Sequence, residues 1–124
     1  MNPNQCVWFE IYVEDMQRAK NFYEAVFQTA LIRLPGPDIE MWAFPLISAK
    51  SYGAHGALAK MEGVKPGGNS TIVYFHCKDC AIEAARAEEN GGTPVKEKFS
   101  IGENGFIALV MDTEGNMIGL HSMS

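Results

Sequence analysis

Val7-Trp8-Phe9-Glu10-Ile11-Tyr12-Val13 runs into Glu14-Asp15-Met16, and Thr71-Ile72-Val73-Tyr74-Phe75-His76-Cys77 runs into Lys78-Asp79-Cys80. Each is a β-branched and aromatic run that stops at a short charged segment containing an Asp, the composition of a strand end. Asp15 recurs as Asp79, an offset of 64 residues. At that offset Trp8 matches Ile72, Glu10 matches Tyr74 and Tyr12 matches His76. A repeat of this kind governs the fold, because one copy alone cannot bury its apolar face.

Beyond each Asp the period changes. Met16, Ala19, Phe22, Tyr23, Val26 and Phe27 fall at three- and four-residue steps, the spacing of one helix face. Asp15 suits the N-cap, where a carboxylate accepts from free amides of the first turn. Ile82, Ala85 and Ala87 continue the second copy, and Asn90-Gly91-Gly92 stops it. Three strand candidates follow each helix: 30–34, 40–45 and 53–60, then 93–99, 106–111 and 116–121. Pro35-Gly36-Pro37-Asp38, Glu103-Asn104-Gly105 and Asp112-Thr113-Glu114-Gly115 are turn text between them. The spacing predicts an α+β chain of tandem βαβββ modules with mostly antiparallel pairing. The modules span about 5–64 and 69–124 of one domain over 1–124, with Lys65-Pro66-Gly67-Gly68-Asn69 as the joint.

Composition narrows the function classes. The 124 residues are 47% hydrophobic and 20% charged, which excludes a disordered chain. The net charge is −5 with no run of Lys and Arg, so a nucleic-acid partner is not expected. No apolar stretch approaches the roughly 18 residues a membrane span needs. Met1-Asn2-Pro3-Asn4-Gln5 lacks the basic and apolar regions of a secretory leader, and three cysteines make no disulfide framework. A cytoplasmic setting is expected.

The text from Trp8 through Asp15-Met16-Gln17-Arg18-Ala19-Lys20-Asn21-Phe22-Tyr23 resembles the opening strand and helix of the vicinal oxygen chelate superfamily. That group includes glyoxalase I, extradiol dioxygenases and the fosfomycin and bleomycin resistance proteins. His55-Gly56-Ala57-Leu58 resembles the close of its first module, and Asp112-Thr113-Glu114-Gly115-Asn116 its final turn. The resemblance is nearest to short glyoxalase-related proteins of unassigned activity. It implies two modules forming a cupped sheet, helices outside, a small molecule held on the concave side, and a homodimer.

The resemblance also locates the positions where metal-bearing members place their ligands. In this sequence those positions are Trp8, Ala57, Ile72 and Gly119. None of them offers the His, Cys or carboxylate donor that a divalent metal needs. The expectation is therefore no cofactor and a binding protein for a small organic molecule. The alternative is a lyase- or isomerase-type enzyme with Glu10 as general base, with or without a displaced metal through His55 and His121.

Alternation along strands sorts the side chains. If Trp8 faces the cavity, so do Glu10 and Tyr12, and by the same phase Ile72, Tyr74, His76, His55, Met117, Gly119 and His121. Phe9, Ile11, Val13, Val73, Phe75 and Cys77 then face the helices, and all are apolar as that face requires. Glu10 reads either as ligand anchor or base, or as a structural pair. Tyr74 is its repeat mate and is expected beside it. The three histidines read either as an acid–base or metal set, or as unrelated strand-end residues. Cys77-Lys78-Asp79-Cys80 reads either as a redox CxxC or as a buried core thiol and its neighbour.

Overall fold

A computed structural model describes residues 4–48 and 50–124. Met1-Asn2-Pro3, part of the segment read for a leader, lie outside the described residues. The chain runs β1 (Trp8–Tyr12), α1 (Met16–Phe27), β2 (Ile32–Leu34), β3 (Glu40–Ala43), β4 (His55–Lys60), then β5 (Tyr74–His76), α2 (Cys80–Glu89), β6 (Thr93–Ser100), β7 (Phe106–Met111) and β8 (Met117–Ser122). A single 3-10 turn, Gly102–Asn104, separates β6 from β7. The expected βαβββ order therefore appears twice. No helix among the described residues is long and apolar enough to cross a membrane.

Asp15 caps α1 by accepting from the Arg18 amide at 3.1 Å, and Asp79 caps α2 by accepting from the Ala81 amide at 3.1 Å. Met16, Ala19, Phe22, Tyr23 and Val26 form the buried stripe of α1. Gly91, at φ +96°, supplies the left-handed turn that ends α2.

Each module makes a four-stranded sheet of the same order, β1-β4-β3-β2 and β5-β8-β7-β6. The first strand of each lies parallel to the last, and the other pairs are antiparallel. No ladder joins the two sheets among the described residues. The modules meet through one apolar core instead. In it Phe75 of β5 stacks on Phe27 at 4.5 Å between ring centroids and lies 5.3 Å from Phe44. Phe9 approaches Phe75 edge-on at 6.1 Å. At about 25 cal/mol per Å² of apolar surface removed from water, such rings dominate the attraction between modules.

One strand is shorter than its sequence suggests. The run 71–77 reads as one strand, yet β5 holds only Tyr74–His76. The cause is Asn69 in the joint. Its side-chain amide donates to the Met117 carbonyl at 3.0 Å and accepts from the Met117 amide at 3.2 Å. Those two main-chain groups are the ones that a longer β5 would need. Ile72 consequently lies outside the ladder, and strand alternation does not place it on the open face as expected.

Candidate functional site

On β1 the face turned away from the helices carries Trp8, Glu10 and Tyr12. Their register partners on β4 are His55, Ala57 and Ala59. Ala57 and Ala59 are fully buried, whereas Trp8 and Glu10 are exposed. Trp8 Nε1 donates to one Glu10 oxygen at 3.0 Å, and the Tyr12 hydroxyl donates to the other at 2.6 Å. The bond to Glu10, some burial and the nearby negative charge all raise the Tyr12 pKa above its ordinary value. The phenol thus keeps its proton and remains a donor.

His55 joins this group through Trp8, with the two rings edge to face at 5.1 Å. Its Nε2 donates to the Phe44 carbonyl at 2.6 Å. A carbonyl can only accept, so this nitrogen carries hydrogen and is no free metal donor. His121 is held alike, donating from Nε2 to the Asn104 carbonyl at 2.7 Å. No group of three His, Cys, Asp or Glu side chains suited to a metal occurs among the described residues. His76 is exposed at the end of β5.

The second module answers with a different arrangement. Tyr74 faces Gly119 across the β5–β8 ladder, as Glu10 faces Ala57 across β1–β4. The Tyr74 ring lies over Gly119, where a Cβ would sit 2.3 Å from it. Gly119 therefore lacks a donor and also lacks room for one while the ring stays there. Trp8, Ala57 and Ile72 offer no donor either. These residues do not fit the metal site that the resemblance locates. Tyr74 makes no hydrogen bond to Glu10, whose two oxygens are taken by Trp8 and Tyr12. Both hydrogen bonds of Glu10 therefore stay within the first module.

A cavity of about 270 Å³ runs along the free edge of β1, walled by Glu10, Tyr12, Lys65, Val73 and Met117. The parallel ladder consumes the main-chain groups of alternate β1 residues, as in the bonds of Val7 and Val13 to β4 and its flank. Those of Trp8, Glu10 and Tyr12 point to the free edge, and the Tyr12 carbonyl accepts from Asn116 at 2.8 Å. A larger cleft of about 390 Å³ lies beside the start of α1, lined by Lys20, Glu40, Trp42 and Lys60. It contains none of the candidate residues. Lys20 already sits 3.4 Å from the Trp42 ring centre, and Trp42 donates to Glu40 at 3.0 Å, so its groups largely satisfy one another.

Sequence reasoning missed a buried polar network. Asp112 accepts from the Tyr23 hydroxyl at 2.6 Å and from the amides of Glu114 and Asn116 at 2.8 and 2.9 Å. Glu114 accepts from the amides of Glu14 and Asp15 at 2.9 and 2.8 Å and pairs with Arg18 at 2.6 Å. Burial works to raise the Glu114 pKa. The Arg18 guanidinium, the Asp15 and Glu14 amides and the Thr113 hydroxyl outweigh it and hold the value down to about 2. The signal was present in Arg18, Tyr23 and the Asp112–Asn116 turn, but nothing in one sequence says that they touch. Cys77 and Cys80 are both buried. Burial, with the Glu83 charge behind it, pushes the Cys77 thiol up to about 12. An activated redox cysteine needs the opposite shift.

The chain matches the family model of the Glyoxalase/Bleomycin resistance protein/Dioxygenase superfamily over residues 5–120. No curated protein matches it. Among solved structures it is similar to TnmS3, an antibiotic binding protein from Streptomyces sp. CB03234, with 24% identity and a TM-score of 0.73 over 100% of this chain and 99% of that one. It is also similar to a glyoxalase I mutant from Zea mays, with 19% identity and a TM-score of 0.71 over 94% of this chain. It spans only 45% of that maize protein. A glyoxalase/bleomycin resistance protein from Albidiferax ferrireducens shares 19% identity at a TM-score of 0.67, covering 94% of this chain and 98% of that one. At these identities the structural likeness speaks for the fold, and with the match over 5–120 the chain belongs to the Glyoxalase/Bleomycin resistance protein/Dioxygenase superfamily.

Proposed function

We propose that this chain binds a small organic molecule on the open face of its first sheet, around Glu10, without the metal centre of the family's enzymes. One observation carries the reading: an exposed carboxylate fixed by Trp8 and Tyr12 beside a cavity of about 270 Å³. A side chain so oriented is prepared to meet a ligand without first losing rotamer freedom. The similarity to an antibiotic binding protein agrees with a small-molecule-binding role. A homodimer is part of the proposal. Ile32 is exposed, and the outer edges of both sheets, β2 and β6, are unpaired among the described residues.

The test has two arms. Protein prepared without chelator is assayed for zinc, nickel and iron, and is expected to hold less than one equivalent. A small-molecule library is then screened through the Trp8 indole N–H resonance, with Glu10→Gln as the control. Hits that shift Trp8 and weaken in the variant support the reading. Stoichiometric metal, with a lyase or isomerase activity lost in Glu10→Gln, would replace it with the enzyme.

A further inference from the structure

We propose that the Glu10 face selects an organic cation: a protonated amine carried on a flat, apolar or aromatic body. This rests on the reading of that face as the ligand site and adds the charge of its occupant.

The argument begins with an uncompensated charge. No Lys, Arg or His forms an ion pair with Glu10 among the described residues. His55, the ring nearest in register, has its Nε2 committed to the Phe44 carbonyl. Lys65 lies on the cavity wall but forms no ion pair there. The donors that do reach Glu10, the Trp8 indole and the Tyr12 phenol, are neutral. They orient the carboxylate and leave its charge in place. An ionised carboxylate has about four acceptor positions, so roughly two stay open toward solvent.

The setting around that charge is apolar. Trp8 remains 40% exposed beside it, and Val73 and Met117 line the wall of the adjoining cavity. A neutral apolar ligand would strip water from the carboxylate and return nothing, which is costly. An anion would meet Glu10 and a chain of net charge −5. A protonated amine replaces the lost water with N–H donors and supplies the opposite charge. Its apolar body can lie on Trp8, whose ring face attracts positive charge.

Three probes with one ring system isolate the charge: 1-naphthylmethylamine, 1-naphthylmethanol and 1-naphthylacetate. Each is titrated against the full chain while the indole N–H resonances are followed. Trp42, the second of two tryptophans, serves as the internal reference. The amine is expected to bind at least tenfold more tightly than the alcohol at low salt, with the acetate weakest. The margin should shrink with added salt and vanish in Glu10→Gln, whose fold is checked by its unshifted Trp42 signal. If the alcohol or acetate moves Trp8 at equal or lower concentration than the amine, the cation proposal fails and the ligand site stands. If none moves Trp8 up to millimolar concentration, both readings fail.

Discussion

Arg18 and Glu114 stand 96 positions apart in the chain and meet through two hydrogen bonds, at 2.6 and 3.0 Å. The Glu114 side chain is fully buried, while that of Arg18 is about half exposed. The same carboxylate accepts the amides at the junction of β1 and α1. One side chain of the second module therefore finishes the helix start of the first.

The acid limb of stability follows from that carboxylate. Its folded pKa is lowered from 4.5 to about 2, so its contribution is present in full above about pH 4.5 and disappears as pH falls toward 2. A shift of that size corresponds to a few kcal/mol, on the order of 3. Urea unfolding between pH 6 and 2.5 should show stability falling in that window. Glu114→Gln, less stable at pH 6, should show a shallower fall.

Tyr23→Phe removes one hydroxyl and leaves a buried Asp112 oxygen short of a partner. The expected loss is about 1–3 kcal/mol, read as a lower denaturation midpoint at unchanged slope. A variant as stable as the parent would show that the Asn116 amide, 3.3 Å from the same oxygen, suffices.

Gly119→Ala pushes a methyl group into the Tyr74 ring. Because Tyr74 is half exposed, the ring can swing aside, so the cost should stay near 1 kcal/mol. In Tyr74→Ala the same Gly119→Ala change should cost almost nothing. A double-mutant cycle by denaturation measures that coupling. Strict additivity would show that the ring does not rest on Gly119.

A thiol reagent distinguishes the cysteines. Cys6 is exposed, whereas Cys77 and Cys80 are buried. One equivalent should react promptly at pH 8 and three in denaturant. Two or more fast thiols in the native protein would revive the redox reading of Cys77 and Cys80.

Light scattering at tens of micromolar tests the dimer, which is expected at twice the 13.7 kDa chain mass. A monomer across that range removes the dimer from the proposal.

Much of the fold was legible because it rests on periodicity. Phe9, Ile11, Phe75 and Cys77 all lie on the helix side, where alternation put them. The end of β5 was not legible, because it depends on the Asn69 side chain taking the Met117 main-chain groups. Strand patterns report apolar alternation and not competition for hydrogen bonds. The site was legible in part. Trp8, Glu10, Tyr12 and His55 share one strand pair, and alternation on a strand is local information. The link from Glu10 to Tyr74 was expected from repeat symmetry. No hydrogen bond joins the two, and both Glu10 oxygens are bonded within the first module by Trp8 and Tyr12.

The buried polar network is a seam between the two modules. Asp15, Arg18 and Tyr23 from the first module and Asp112, Glu114 and Asn116 from the second are linked in it, and Asn116 carries it on to the Tyr12 carbonyl at the edge of the candidate site. The side chains of Trp8, Glu10 and Tyr12 take no part in that seam, so exchanging them leaves its bonds in place. An engineer could redraw the face of β1 with little risk to assembly, provided the turn after Met111 is left untouched.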